Sequence, residues 1–195
     1  DKLAFEYHSN RGLFKMKDIL EYFRINLNLL EGKLLDLGCG SGVPVCQHFL
    51  HYGWEVTGID ISANMLELAR QSNPDGVFHQ ADMVEYEMAE SRYDAITAIY
   101  SLFHLTLANQ SSVFIKVQRA LKPGGQFLFA YATQDYTGYA EFSGNLSFLG
   151  VMLPYHHTTP DKLLAELASI GLTAEFVAHI NKGGETFLWV IVKKS

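Results

Sequence analysis

Three glycines stand at alternate positions in the run LLDLGCGSG: Gly38, Gly40 and Gly42 follow an apolar segment that carries Asp36 near its end. Alternate glycines in such a place surrender side chains so that the backbone can take positive φ and come close to a ligand. Two carboxylates follow Gly38 at equal intervals, Asp60 and then Asp82, each at the end of another short apolar segment. A carboxylate so placed can accept hydrogen bonds from two neighbouring hydroxyls at once. The glycines miss the G-x-G-x-x-G pattern that serves a dinucleotide pyrophosphate, because the third place is Val43 in one register and Val45 in the other. Just past a fourth apolar segment lies His104, an imidazole able to take a proton from a hydroxyl or an amine. Cys39 and Cys46 have no metal-site spacing, and neither an HxxxH pair nor clustered carboxylates appear, so no metal is expected. The Cys39 thiol reads as packing, while its backbone, between two glycines, is placed to meet a ligand.

Those residues need a scaffold that brings strand ends together. Strand-like and helix-like segments alternate: a helix at 14–30, strand 33–38, helix 43–53, strand 55–60, helix 62–72 capped by Ser62, and strand 77–82. Strand 93–101, helix 110–125 and strand 126–132 follow; then come a helix at 159–172 capped by Thr159 and two last strands, TAEFVAHI and TFLWVIVKK. Apolar strands without alternation are buried on both faces. The expected fold is therefore a single α/β domain over 1–195, with a doubly wound, mostly parallel seven-stranded sheet. The hairpin joined by NKGGE adds an antiparallel strand near the C-terminal edge. Ligands of such sheets sit outside the carboxyl ends of the strands. The region 133–158 breaks the rhythm and is rich in Tyr136, Tyr139, Phe142, Phe148, Met152, Tyr155, His156 and His157; it reads as an insertion over the open end of the sheet.

The pattern D-x-G-x-G-x-G resembles the first motif of the class I S-adenosylmethionine-dependent methyltransferases, and the resemblance continues in register from residue 34 to about 175. VTGIDIS (56–62) looks like the family's second strand, FHQADM (78–83) like its third and YDAITAIYSLFHL (93–105) like its fourth. LKPGGQFLF (121–129) resembles the turn into the fifth, and TPDKLLAELASIGL the late helix of small-molecule members. The resemblance implies that Asp36, Gly38, Cys39, Gly40, Gly42, Ile61 and Ala81 bind S-adenosylmethionine, that Asp60 meets the ribose hydroxyls, and that Met65, Asp82 and Met83 meet the adenine. Ile99, Tyr100 and Ser101 would lie beside the methyl group, with His104 as general base. The N-terminal segment 1–30 would fold over the cofactor, with Tyr7 and Arg11 ahead of its helix. Tyr7, Tyr131 and His156 are the candidate acceptor contacts; His156 and His157, being adjacent, would face opposite ways in an extended segment.

The implied activity is transfer of the sulfonium methyl to an O, N or S atom of a small organic acceptor, with S-adenosylhomocysteine as product. The N-P-P-Y or D-P-P-Y run of base-directed amino methyltransferases is missing, for Y-S-L-F stands at 100–103. A formal net charge of −6 with no basic stripe argues against nucleic acid. The longest apolar runs are too short to span a bilayer. No leader-like stretch is seen, and two reduced thiols suit a cytoplasmic location. A monomer and a homodimer both stay open, as do three other functions: binding of the cofactor without turnover, dinucleotide-dependent oxidoreduction, and transfer of another group from the same cofactor.

Overall fold

The computed structural model describes residues 16–195 apart from 149 and 183. Tyr7 and Arg11 therefore lie outside the described residues. In chain order the elements are α1 (Lys17–Asn26), β1 (Lys33–Leu37), α2 (Val45–His51), β2 (Glu55–Asp60), α3 (Ala63–Ser72), β3 (Val77–Gln80), β4 (Tyr93–Ala98) and a 3₁₀ turn (Leu102–His104). They continue with α4 (Leu107–Ala120), β5 (Leu121–Tyr131), α5 (Gln134–Thr137), β6 (Phe142–Phe148), β7 (Val151–His157), α6 (Pro160–Ser169), β8 (Leu172–Lys182) and β9 (Glu185–Lys194).

Seven strands form one sheet in the order β3-β2-β1-β4-β5-β9-β8. β1 pairs in parallel with both β2 and β4, so the chain reverses its direction of winding across β1, where such sheets open a crevice. β9 is antiparallel to both β5 and β8 and is the one strand running against the others. Burial explains which of the last two strands is the edge. Residues 187–192 of β9 are an unbroken buried run, which suits an interior place, whereas β8 alternates between exposed and partly buried positions beyond Leu172. Helices α1, α2 and α3 cover one face through Phe23, Phe49 and Leu66; α4 and α6 cover the other through Phe114, Val117, Leu163 and Leu167.

Local chemistry fixes several boundaries. Ser62 accepts a hydrogen bond from the Met65 amide and Thr159 from the Lys162 amide, the two expected caps. The helix expected at 110–125 instead spans Leu107–Ala120: Thr106 caps it by accepting from Asn109 N, and Leu121 is already extended. The helix expected at 14–30 is shorter, and none of residues 16–30 lines the principal cavity. Its buried stripe of Ile19, Leu20 and Phe23 packs instead toward Phe49. The 133–158 region is ordered as the short α5 and the β6–β7 hairpin, a separate two-stranded sheet in which Phe142 faces His157 and Phe148 faces Val151. Among the described residues, no helix is long and apolar enough to cross a membrane.

Candidate active site

A cavity of about 510 Å³ opens at the carboxyl ends of β1, β2 and β4. Its floor is the glycine loop. The amides of Gly38 and Cys39 both donate to the Ile59 carbonyl at 2.9 Å, and Gly42 N donates to Cys39 O at 2.9 Å, which makes a tight turn. Gly38, Gly40 and Gly42 all have positive φ, at +74°, +54° and +70°. A Cβ on Gly38 would stand 2.6 Å from Ser101 Cβ, and Ser101 is itself fixed by donating from Oγ to Leu37 O at 2.8 Å. The glycine is thus required both by conformation and by the close approach of the segment after β4.

Asp60 joins this loop to the next strand. One carboxylate oxygen accepts from Gly40 N at 2.8 Å and the other from Ser62 N at 2.9 Å. Each oxygen retains a second lone pair for a ligand. Asp82 accepts from Val84 N at 2.8 Å, which braces its carboxylate at the rim of the same cavity. Ile61, Met65, Ala81 and Met83 supply apolar wall between the two acids.

The opposite wall is aromatic. Phe103 stacks on Tyr155 at 5.2 Å and on Phe187 at 5.2 Å, and Tyr136 lies 4.6 Å from Phe187 and 5.3 Å from Tyr155 between ring centroids. Tyr100, whose ring meets Phe187 edge-on at 5.0 Å, has φ +58°. A non-glycine residue held in the left-handed region stores strain of order 1–3 kcal/mol, a feature that clusters at functional sites. His104 Nδ1 lies 2.7 Å from the Pro154 carbonyl. A carbonyl only accepts, so Nδ1 carries the hydrogen and Nε2 keeps its lone pair. Burial holds the His104 imidazole below its ordinary pKa, against the raising effect of the Pro154 carbonyl, so the neutral base form prevails at neutral pH.

Of the residues expected from sequence, Gly38, Gly40, Asp60, Ile61, Met65, Ala81, Asp82, Met83, Tyr100 and His104 share this cavity. Others lie behind it. Asp36 is buried beneath the loop, accepting from Thr97 Oγ1 at 2.8 Å and from Cys46 Sγ at 3.4 Å; it positions the loop from below. Cys39, Gly42 and Ile99 do not line the cavity, and Cys39 and Ile99 are buried in the core on the α1–α3 side. The Cys46 thiol is pushed well up by its hydrogen bond with Cys39 and by burial, an inert packing thiol.

Tyr131 and His156 correct the expectation of acceptor contacts. Tyr131 is fully buried on the other face of the sheet, where its hydroxyl donates to Gln110 Oε1 at 3.0 Å and accepts from Thr158 N at 3.2 Å. Burial pushes its phenol up to about 12. His156 turns to Ser143 Oγ, 2.7 Å from its Nδ1, and its neighbour His157 is buried against Thr137 Oγ1 at 2.7 Å. The segment is extended, but neither imidazole reaches the cavity.

Sequence reasoning missed Ser62, Leu105, Leu153, Pro154, Glu185 and Phe187 as lining residues. The hairpin residues were marked only by the aromatic richness of their region. Glu185 and Phe187 carried no chemical signature; they begin the strand that inserts beside β5. Among the described residues, no three His, Cys, Asp or Glu side chains form a group that could hold a metal ion.

Residues 34–125 match the family model described as a methyltransferase domain. The chain is 33% identical over 125 residues to the phosphoethanolamine N-methyltransferase of Plasmodium falciparum, covering 63% of this chain and 46% of that protein. It is 30% identical over 141 residues to a ubiquinone biosynthesis O-methyltransferase of Proteus mirabilis, covering 67% and 56%. The chain thus spans about half the length of these curated relatives. Its fold is that of solved methyltransferases. An S-adenosylmethionine-dependent methyltransferase from Mesorhizobium loti superposes with a TM-score of 0.74 at 22% identity, over 89% of this chain and 96% of that one. The 1,6-didemethyltoxoflavin-N1-methyltransferase of Burkholderia thailandensis, solved with bound 1,6-didemethyltoxoflavin and S-adenosylhomocysteine, gives 0.74 at 18% identity, over 99% and 87%.

Proposed function

We propose, from the premise that this chain belongs to the class I S-adenosylmethionine-dependent methyltransferases, that it moves the sulfonium methyl of S-adenosylmethionine to an O, N or S atom of a small organic acceptor. The carrying observation is one cavity with two unlike walls: glycine loop, Asp60 and Asp82 on one side, an aromatic enclosure with His104 on the other. The residues present fit the cofactor. Asp60 has lone pairs left for two ribose hydroxyls, Met65 and Met83 offer polarizable apolar surface to adenine, and the loop backbone at Gly38 and Gly40 admits the methionine end without side-chain obstruction. When bound, the sulfonium supplies a methyl group already activated for in-line displacement.

The protein's own work is alignment and exclusion of water. The aromatic side chains of Phe103, Tyr136, Tyr155 and Phe187 form a mutually stacked, apolar wall that disfavours water. His104 Nε2, neutral and fixed in one tautomer, is the acceptor's proton sink if the nucleophile arrives protonated. The names of the relatives divide between N- and O-methyltransferases, so they favour neither atom.

Calorimetric titration with S-adenosylmethionine, S-adenosylhomocysteine and NAD tests the reading. Binding of the first two and silence from NAD is expected. Binding of NAD alone sinks the assignment, and binding without methyl turnover across a broad acceptor panel leaves a cofactor-binding protein in place of an enzyme.

A further inference from the structure

The aromatic wall contains one acid that the proposed handling of the cofactor does not use. Glu185, at the start of β9, is half-buried and lines the cavity beside Tyr136, Tyr155 and Phe187. The Tyr136 and Tyr155 hydroxyls beside it stand 3.1 Å apart. Glu185 thus presents a carboxylate to the enclosed space beside a pair of hydrogen-bonded tyrosine hydroxyls. The described lining holds three acids, Asp60, Asp82 and Glu185, and neither lysine nor arginine. Burial also raises the Glu185 carboxyl, against the lowering effect of Tyr136; such a carboxylate gains most from a cationic neighbour.

Resting on the function proposed above, we infer that the acceptor is a small organic amine, held as its ammonium form by Glu185 against the aromatic wall of Phe103, Tyr136, Tyr155 and Phe187. An ammonium group matches both partners, since aromatic faces attract cations and a desolvated carboxylate attracts them more. Carboxylate and phosphate acceptors would meet acids with no described cation to pair them. Reaction needs the free amine. The ammonium gives one proton to His104 Nε2, and the nitrogen lone pair attacks the methyl carbon. The S–CH₃ bond then breaks with its electron pair going to sulfur, while the new N–CH₃ bond leaves the product as a secondary ammonium. His104 then returns its proton to solvent.

The test is binding of charge-graded probes to the protein saturated with S-adenosylhomocysteine, read by calorimetry: benzyltrimethylammonium, 2-phenylethylamine, 2-phenylethanol and phenylacetate. The two cations are expected to bind at least about tenfold tighter than the alcohol, with phenylacetate weakest. Glu185→Gln should remove about tenfold of the cation preference and leave S-adenosylhomocysteine affinity unchanged. Tyr136→Leu, a second variant in the same wall, should weaken both cations more than the alcohol. Equal binding of all probes, tighter phenylacetate, no probe binding at about 10 mM, or Glu185→Gln without effect overturns the amine assignment alone. Failure of S-adenosylhomocysteine itself to bind overturns the cofactor reading and this inference with it.

Discussion

Replacing Asp60 by asparagine separates the observed duty of that carboxylate, anchoring the loop, from its proposed one, accepting from the ribose hydroxyls. In the native protein its oxygens accept from Gly40 N and Ser62 N at 2.8 and 2.9 Å. An amide has one acceptor oxygen, which can keep the local turn to Ser62; the NH₂ group must then face the Gly40 N–H, donor against donor. A hydrogen bond to a charged group is worth about 1.5–3 kcal/mol, and partial exposure lets water replace some of it, so the stability loss should be about 1–2 kcal/mol. At about 2–4 °C per kcal/mol for a chain of this size, the melting temperature should fall by roughly 2–8 °C. Loss of acceptance from the ribose hydroxyls costs a further ~1.5–3 kcal/mol of binding, or about 10- to 150-fold in the dissociation constant for S-adenosylhomocysteine. Thermal denaturation and calorimetry on the same preparation measure both numbers. A melting temperature that falls while the dissociation constant stays within about threefold of the native value would refute the ribose role and leave Asp60 as a loop anchor only.

Gly38→Ala must hold an alanine at φ +74° with its Cβ 2.6 Å from Ser101 Cβ. The left-handed conformation costs about 1–2 kcal/mol and the overlap about 1–3 kcal/mol, so denaturant unfolding should show a loss of about 2–5 kcal/mol; an unchanged midpoint contradicts the geometry. Tyr131→Phe strands Gln110 Oε1 and Thr158 N, and should lower stability by about 1–3 kcal/mol while leaving the affinity for S-adenosylhomocysteine untouched; a change in that affinity would return Tyr131 to the site. His104→Ala should lower turnover by about 10²- to 10⁴-fold with cofactor binding intact, and should abolish the acid limb of the native rate profile, which lies below the ordinary imidazole pKa of 6.5. Equal loss of binding and turnover would make His104 a packing residue. Burial depresses His104 and His157 in the folded state, so the stability they contribute is complete above 6.5 and is lost as pH falls through their folded values; melting curves that do not drop on acidification would argue against it.

Legibility in the sequence followed where local chemistry decides structure. The glycine loop, the acids at the ends of β2 and just after β3, and the caps Ser62 and Thr159 are all local signals, and the structure has each of them. Tyr131 was misplaced because its role turns on parity along β5. It shares a face with Phe127 and Phe129 toward α4 and α6, while Leu128, Ala130 and Ala132 belong to the other layer. Parity likewise separates buried Tyr155 from His156. Glu185 and Phe187 were invisible for a different reason. Nothing in an apolar terminal strand says which neighbours it will have, and only its insertion between β5 and β8 carries its first residues to Tyr100 and Tyr136. The α4 boundary was missed because Thr106, four residues before the expected start, does the capping.

The cavity's glycine-loop wall comes from one stretch of chain, and most of its aromatic wall from another. Every described lining residue from Gly38 to Leu105 falls within the span 34–125 of the methyltransferase domain match, while Tyr136, Phe148, Leu153, Pro154, Tyr155, Glu185 and Phe187 all come after it. A single crossover between two related genes near residue 125 would therefore keep the glycine-loop wall whole, with Tyr100, Phe103 and His104, and exchange the rest of the aromatic wall. On the proposed reading, heredity has a simple handle here: the methyl donor is written in one half of the message and the recipient largely in the other, and His104, at the seam between them, is inherited with the donor.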